Sequence, residues 1–416
     1  MPSSTRRTFL GTLAVGSTVG VAGCSSSCPD SDAPEPSVVV GTDDAGGGFE
    51  TVPDGSWPSP RFDAGNTGHP PAYRAPTDSL SLRWRTTLSA PRADGATADA
   101  SSPTVAGDQV YLTTGAGVFA LALRDGTERW RVSDLTPATT ASTTGTGDEL
   151  APPVVGDGRV YLATDAGVVA LHTDDGSTAW RATDAAATGV PSTSGDTLLV
   201  PTADGLAGIG VSDGRRRWTT DVDATLPAVV DETVVVAGDE TVALDATTGD
   251  RRWSAPVRTE THPVAVDGTV YLGTYEGIVA LDLDDGRERW RVDRGSGRTF
   301  SAPIITPETI YAVERPGEAP DATFALDRTG DGPPDPRWCS YVGEGAVTAA
   351  AGGHALAVQS GPSDRRAPPR LVAFTERFGE ATWGYTTAER PQPPALLDGG
   401  VVSVTDRGTV VAIGGS

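Results

Sequence analysis

From about residue 78 onward, apolar residues come in short runs rather than at helical spacing. Val110-Tyr111-Leu112-Thr113-Thr114, Val160-Tyr161-Leu162-Ala163-Thr164 and Val270-Tyr271-Leu272-Gly273-Thr274 are β-branched and aromatic. They read as strands, and each is closed by a small turn: Gly115-Ala116-Gly117, Asp165-Ala166-Gly167 or Tyr275-Glu276-Gly277. A second apolar run follows, as in Ile278-Val279-Ala280-Leu281-Asp282, and then a tight hairpin, Asp284-Asp285-Gly286-Arg287. A third strand carries a tryptophan, as in Glu288-Arg289-Trp290-Arg291-Val292. Before each unit stands a Pro with small apolar residues, as in Ser102-Pro103-Thr104-Val105, which makes an inner strand. The pattern predicts repeated units of four strands.

The second hairpin fixes the period. Ala120, Gly126 and Trp130 recur as Ala170, Gly176 and Trp180, then as Gly208, Gly214 and Trp218. Ala243, Gly249 and Trp253 follow, then Ala280, Gly286 and Trp290. The sixth unit, Ala325 to Trp338, is lengthened by the Gly-Pro-rich stretch from Gly330 to Pro336. The seventh, Ala373, Gly379 and Trp383, is regular. The eighth ends at Ser416 without its tryptophan strand, and the missing piece stands at the other end: Leu80-Ser81-Leu82-Arg83-Trp84-Arg85. Eight units of about 42 residues, the last closed by an N-terminal strand near 80–88, predict an all-β, eight-bladed propeller of four-stranded antiparallel blades. Sandwich and parallel β-helix readings fail on the four-strand unit and the split ends. One blade cannot bury both faces of its sheet alone. Each tryptophan is therefore expected to lie over a Gly turn and close a blade-to-blade seam, with the Ala leaving room for the ring. That makes the eight tryptophans a structural repeat rather than a binding row.

The start of the chain has a different character. Arg6-Arg7 is followed by Phe9-Leu10 and a weakly apolar run to Ala22, too short to span a bilayer. This order resembles a twin-arginine export signal, and Val21-Ala22-Gly23-Cys24 resembles a lipobox, in which the chain is cut before the Cys and the thiol carries lipid. Residues 1–23 are thus expected to be a signal peptide with Arg6 and Arg7 as its export pair, and Cys24 the lipidation site. Residues 24–56, rich in Ser, Asp, Gly and Pro, read as a flexible tether, with one apolar patch at Val38-Val39-Val40. The propeller with its lead-in segment occupies 57–416. Cys24, Cys28 and Cys339 are the three cysteines. A Cys28–Cys339 bridge is open to an exported chain, but Cys28 falls in the tether.

The formal net charge is −23, and no lysine occurs among the 32 basic residues. Such a balance opposes a general nucleic-acid binder, which needs a basic surface. It resembles the composition of proteins from halophilic archaea, where carboxylates hold water and ions in strong salt. None of the four histidines, His69, His172, His262 and His354, forms a metal pair at i, i+4 spacing. His262 precedes Pro263 at the start of a unit and could face the channel. Asp327 to Gly332 has oxygens at alternate positions but lacks the closing Glu of a Ca²⁺ loop, and reads as an enlarged turn. The Arg215-Arg216-Arg217 and Arg251-Arg252 clusters read as a solvated outer edge.

The hairpin Ala-Leu-Asp-x-x-x-Gly-x-x-x-Trp, clearest at Ala243 to Trp253 and Ala280 to Trp290, resembles the tryptophan-docking repeat of the pyrroloquinoline-quinone-type propellers. Trp57 to His69 resembles the lead-in segment of that superfamily. The resemblance implies one of two functions. In the quinoprotein dehydrogenases a quinone and Ca²⁺ sit near the axis. In the BamB-type lipoproteins of the outer-membrane assembly machine, eight short blades form a non-catalytic scaffold. This chain has no Cys-Cys pair, no C-x-x-C-H and no long insertions to build a lid. No cofactor and no metal are therefore expected. The expectation is an exported, lipid-anchored, monomeric scaffold for a protein or polymer at the cell surface, bound to the membrane through Cys24. A halophilic archaeon has no outer membrane, so only the scaffold logic carries over. The alternatives are a small-ligand or sugar-binding surface protein and, behind it, a quinone-dependent dehydrogenase.

Overall fold

The computed structural model describes residues 35–41, 46–77, 80–88, 100–141, 148–183, 186–295, 297–315, 321–330, 332–341, 345–359 and 368–415. Among them there is no α-helix. Eight antiparallel sheets follow one another along the chain. Blade 1 is built from Thr104–Ala106, Gln109–Thr114, Gly117–Ala122 and Glu128–Val132, in that order from the inner strand outward. Blades 2 to 7 repeat the scheme, beginning at Val154–Gly156, Ser192–Ser194, Ala228–Val230, Val264–Val266, Ile304–Ile305 and Gly345–Ala351. Blade 8 takes Ala395–Leu397, Gly400–Val404 and Thr409–Gly414 from the C-terminus and Ser81–Thr87 from the N-terminal side. The predicted eight-bladed propeller and its strand exchange are both present.

The middle strands are buried almost throughout, as in Gly117–Ala122, because the next blade covers each face. Outer strands are largely exposed around a buried or half-buried tryptophan, as in Glu128–Val132. Within each blade the first and third hairpins share one end, shown by the bond from Leu123 N to Asp108 O. The second hairpin and the crossover to the next blade share the other end, called here the loop face.

The expectation of a free tether over 24–56 does not hold for residues 35–41 and 46–56. Val38–Val39 adds a fifth, parallel strand to the outer edge of blade 7, with Val38 opposite Trp383 and Val39 opposite Gly384. Gly46 and Gly48 donate to Leu82 O and Arg83 O on the closing strand, and Phe49 N donates to Arg124 O of blade 1. Val40 and Phe49 are buried. The physical reason is the open outer edge that every blade offers: even a polar stretch can satisfy its backbone there, and two apolar side chains suffice to hold it. Cys339, on the outer strand Pro336–Tyr341 of blade 6, is disulfide-bonded. Arg6, Arg7, Cys24 and Cys28 lie outside the described residues.

Candidate functional site

Residues 57–68 run across the inner strands at the end opposite the loop face. Trp57 pairs with Val105 of blade 1, and Val155 N of blade 2 donates to Pro58 O. Val229, Ala265, Ile305 and Ala350, on the inner strands of blades 4, 5, 6 and 7, donate to Ala64, Gly65, Thr67 and Gly68. The path is tightly wound. Phe62 and Asn66 take φ of 75° and 62°, and a Cβ at Gly65 would strike the carbonyl of Ala265.

Two side chains of this segment reach along the axis toward the loop face. Asn66 Nδ2 donates to Pro227 O at 3.3 Å and Pro263 O at 3.1 Å, each just before an inner strand. Arg61 donates from Nε to Asn66 O at 3.3 Å and from Nη2 to Pro303 O. Burial lowers the Arg61 pKa to about 10, against the pull of Asp63, so it stays charged at neutral pH. Asp63 accepts from Thr67 N and Oγ1 at 2.8 and 2.6 Å. Burial nevertheless outweighs these bonds and raises its pKa. His262 is buried beside this group. Desolvation first, and the Arg61 charge second, depress its pKa and keep the ring neutral. Its Nε2 has no hydrogen-bond partner. The cavity bounded by Arg61, Ser301, Ala302, Thr348 and Pro393 measures about 10 Å³, room for one water molecule.

A larger space lies outside the axis. The chain enters through Phe49 to Asp54 and leaves through Tyr73 to Thr77, and a groove of about 770 Å³ opens between these arms and blades 7 and 8. Tyr73, Arg74, Arg83 and His354 line it. Arg74 is held by Asp398 through two bonds of 3.0 Å, and Tyr73 Oη bonds Ser56.

On the loop face, Tyr275 is exposed and Arg258 stands 5.9 Å above its ring, paired in turn with Asp239 at 3.2 Å. At blade 6 the buried Glu314 carboxylate meets Arg298 and, at 3.4 Å, Arg294. The Arg294 guanidinium lies 4.4 Å over Phe324. This pins the crossover from blade 5 to blade 6.

The eight tryptophans of the repeat lie at the outer seams, away from the axis. Trp84, Trp130, Trp180, Trp218, Trp253 and Trp338 each lie against a glycine of the following blade: Gly126, Gly176, Gly214, Gly249, Gly286 and Gly379. Their Nε1 atoms donate to Leu123, Thr173, Val211, Ala246, Leu283 and Glu376 carbonyls at 2.7 to 3.2 Å. Trp290 and Trp383 have no such glycine, because blade 6 has the long turn and blade 8 has the chain ends. Trp383 Nε1 is buried without a partner.

His69 Nδ1 bonds Ala350 O at 2.8 Å, and His354 Nδ1 bonds Gly352 O at 3.2 Å; His172 is exposed at a strand end. Among the described residues no three His, Cys, Asp or Glu side chains converge. Asp327 accepts from Thr329 N and Oγ1, which with Arg337 hold its pKa at about 2. Arg217 and Arg252 pair with Asp213 and Asp245 at 3.0 and 2.8 Å on the exposed edge. Sequence reading missed Arg61, Asn66 and Glu314 as organising groups. A buried arginine or glutamate carries no local signature in so charged a chain.

Comparison with known proteins agrees with the geometry. Solved structures that share the fold include the following three. BamB from Moraxella catarrhalis is 16% identical, with 79% of this chain and 97% of that chain covered and a TM-score of 0.57. Quinohemoprotein alcohol dehydrogenase ADHIIG from Pseudomonas putida HK5 is 14% identical, with 88% and 83% covered and a TM-score of 0.60. The computationally designed Ika8 protein is 13% identical, with 78% and 98% covered and a TM-score of 0.58. No curated protein sequence matches the chain. The family model described as outer membrane protein assembly factor BamB matches residues 73–170 and 164–338, more than half of the sequence, and the chain belongs to that family.

Proposed function

We propose that this protein is an exported, lipid-anchored, non-catalytic propeller that holds a protein or polymer at the cell surface. The observation that carries the reading is the axis. In a quinone enzyme of this fold the cofactor needs a closed slot near the axis. Here Arg61 and Asn66 bond to carbonyls of the central strands, and the cavity of about 10 Å³ beside Arg61 is too small for a tricyclic quinone. The loop face offers Tyr275, Arg258 and Asp239, an aromatic and charged set suited to a folded partner. Family membership supports a scaffold, and the lipobox-like Val21 to Cys24 supports the anchor.

The test is capture of the full-length protein, cross-linked in intact cells in molar salt, with companions identified by mass spectrometry. A Cys24→Ser form, released from the membrane, is the control. One stoichiometric companion, lost in the control, is expected. Background alone contradicts the scaffold.

The groove near Tyr73 favours one second reading. Its 770 Å³ is the size of a small-ligand site, and its tyrosine and arginines suit a sugar or polar ligand. Saturation-transfer NMR with monosaccharides and oligosaccharides tests it: signals abolished by Tyr73→Ala would support the ligand reading.

A further inference from the structure

Arg61 is only 4% exposed, yet it stays charged at neutral pH. Its Nε and Nη2 are spent on the carbonyls of Asn66 and Pro303, and its Nη1 makes no hydrogen bond among the described residues. No carboxylate among them forms an ion pair with it. Asp63, the carboxylate whose field reaches Arg61, spends both oxygens on Thr67. His262, its other ionisable neighbour, is held neutral and supplies no negative charge. A buried charge is costly unless an opposite charge stands close. The chain has 55 acidic residues, and none is placed to pair with this arginine.

The cavity beside Arg61 supplies the place for that charge. It lies where the lead-in segment meets three blades. Ser301 stands just before the inner strand of blade 6, Thr348 belongs to the inner strand of blade 7, and Pro393 stands just before that of blade 8. The other polar side chains in the wall are hydroxyls, and no carboxylate lines it. Ser301 Oγ accepts from Val313 N at 3.0 Å, and its own proton has no acceptor among the described residues. Thr348 Oγ1 reaches Leu356 O only at 3.4 Å, a long bond that is easily given up. A guanidinium and two hydroxyls thus border a space of about 10 Å³, which admits one species of about the size of water. Such a set of donors suits a small anion and repels a cation.

We propose that this cavity is a monovalent-anion site, and that a halide such as chloride bound there balances Arg61 and ties residues 57–68 to blades 6 and 7. The ion accepts from Arg61 and from the hydroxyls of Ser301 and Thr348. Arg61 already holds Pro303 O, just before the inner strand of blade 6, so the ion completes a joint that the side chain begins. These residues are far apart in sequence and meet only in the closed ring. The halide therefore binds the folded chain and not the unfolded one, and it stabilises the fold by mass action. An anion as bulky as gluconate does not enter. The site acts on the lock of the ring, whatever partner the outer surfaces hold.

The test combines crystallography and unfolding of the full chain. Crystals grown in potassium bromide are expected to show an anomalous bromide peak in the cavity, against Arg61. A water molecule there instead, or bromide on the surface as an adventitious ion only, overturns the site. Thermal unfolding in about 1 M total potassium salt, with chloride replacing gluconate, separates the site from screening, because the ionic strength is constant. Tm is expected to rise with the chloride fraction, with a linkage of about one ion per chain. Arg61→Gln is expected to lose this dependence on the anion and to keep the general response to salt. An equal Tm in chloride and gluconate, or a chloride dependence that survives in Arg61→Gln, overturns the proposal. Should Arg61→Gln not fold, Ser301→Ala answers the same question. The chloride needed for half of the Tm shift is expected to rise at least about threefold, as for one lost hydrogen bond, and an unchanged midpoint overturns the donor set.

Discussion

Trp130 of blade 1 lies against Gly176 of blade 2, and its Nε1 donates to the carbonyl of Thr173 at 2.8 Å. Gly176 takes φ of 73°, and a Cβ there would sit 2.6 Å from the ring. One glycine thus supplies both the turn and the space for the neighbouring indole. Trp130→Ala is expected to destabilise by about 3–5 kcal/mol, the range for loss of a buried large aromatic side chain. Gly176→Val is expected to cost roughly 2–4 kcal/mol through strain and overpacking. Trp290, which has no facing glycine, is expected to lose less on change to Ala, about 1–2 kcal/mol. Guanidinium unfolding midpoints check the order.

The segment that crosses the axis makes a second prediction. Asn66 joins the approaches to blades 4 and 5 through Pro227 O and Pro263 O, in a backbone conformation that Asn tolerates better than Ala. Asn66→Ala is expected to cost about 2–3 kcal/mol, from two lost hydrogen bonds and a strained φ. Thermal unfolding measures it. An unchanged Tm would mean the segment is not an integral part of the ring.

His262 predicts a pH dependence. Its folded pKa lies below the ordinary 6.5 because burial and Arg61 disfavour the charged ring. The unfolded chain therefore binds the proton first, and stability present above about pH 6.5 is lost as the pH falls, by up to ~1.4 kcal/mol per unit. Asp63 has the opposite sign. Its raised pKa gives stability that is fully present below 3.8 and lost as pH rises through the folded value. His262→Gln is expected to flatten the profile between pH 6.5 and 5 and to leave the Asp63 contribution in place. Unfolding curves of the two proteins across this range isolate the histidine.

A formal charge of −23 predicts strong salt dependence. Exposed pairs such as Arg217–Asp213 contribute little, and the excess carboxylates repel one another. Raising KCl from 0.1 M to 2 M shortens the screening length from about 10 Å to below 3 Å and is expected to raise Tm by several degrees. Calorimetry that finds Tm flat or falling with salt would contradict this.

How much of this is legible in the sequence differs between strands and axis. The Ala–Gly–Trp period marks hairpins that build their own blade, and register pairs Ala120 with Trp130 as the spacing requires. The split eighth blade is readable because Trp84 has no hairpin of its own. The strand at Val38–Val39 is not, since its partner lies on blade 7 and its polar neighbours look like linker; Phe49 in the same stretch is the one further clue. The Arg61, Asp63, Asn66 and His262 cluster joins residues about 200 positions apart through backbone carbonyls, which leave no trace in residue type.

The central proposal is that Arg61 and Asn66, bonded to the approaches of the inner strands, leave no seat for a quinone beside them. The most direct measurement is a titration of the intact protein with pyrroloquinoline quinone and Ca²⁺, followed by equilibrium dialysis and quinone absorbance. The account predicts no saturable uptake and no dye-linked oxidation of alcohols or sugars. Uptake of one quinone per chain that is lost in Arg61→Leu would contradict it and place an enzyme at the axis.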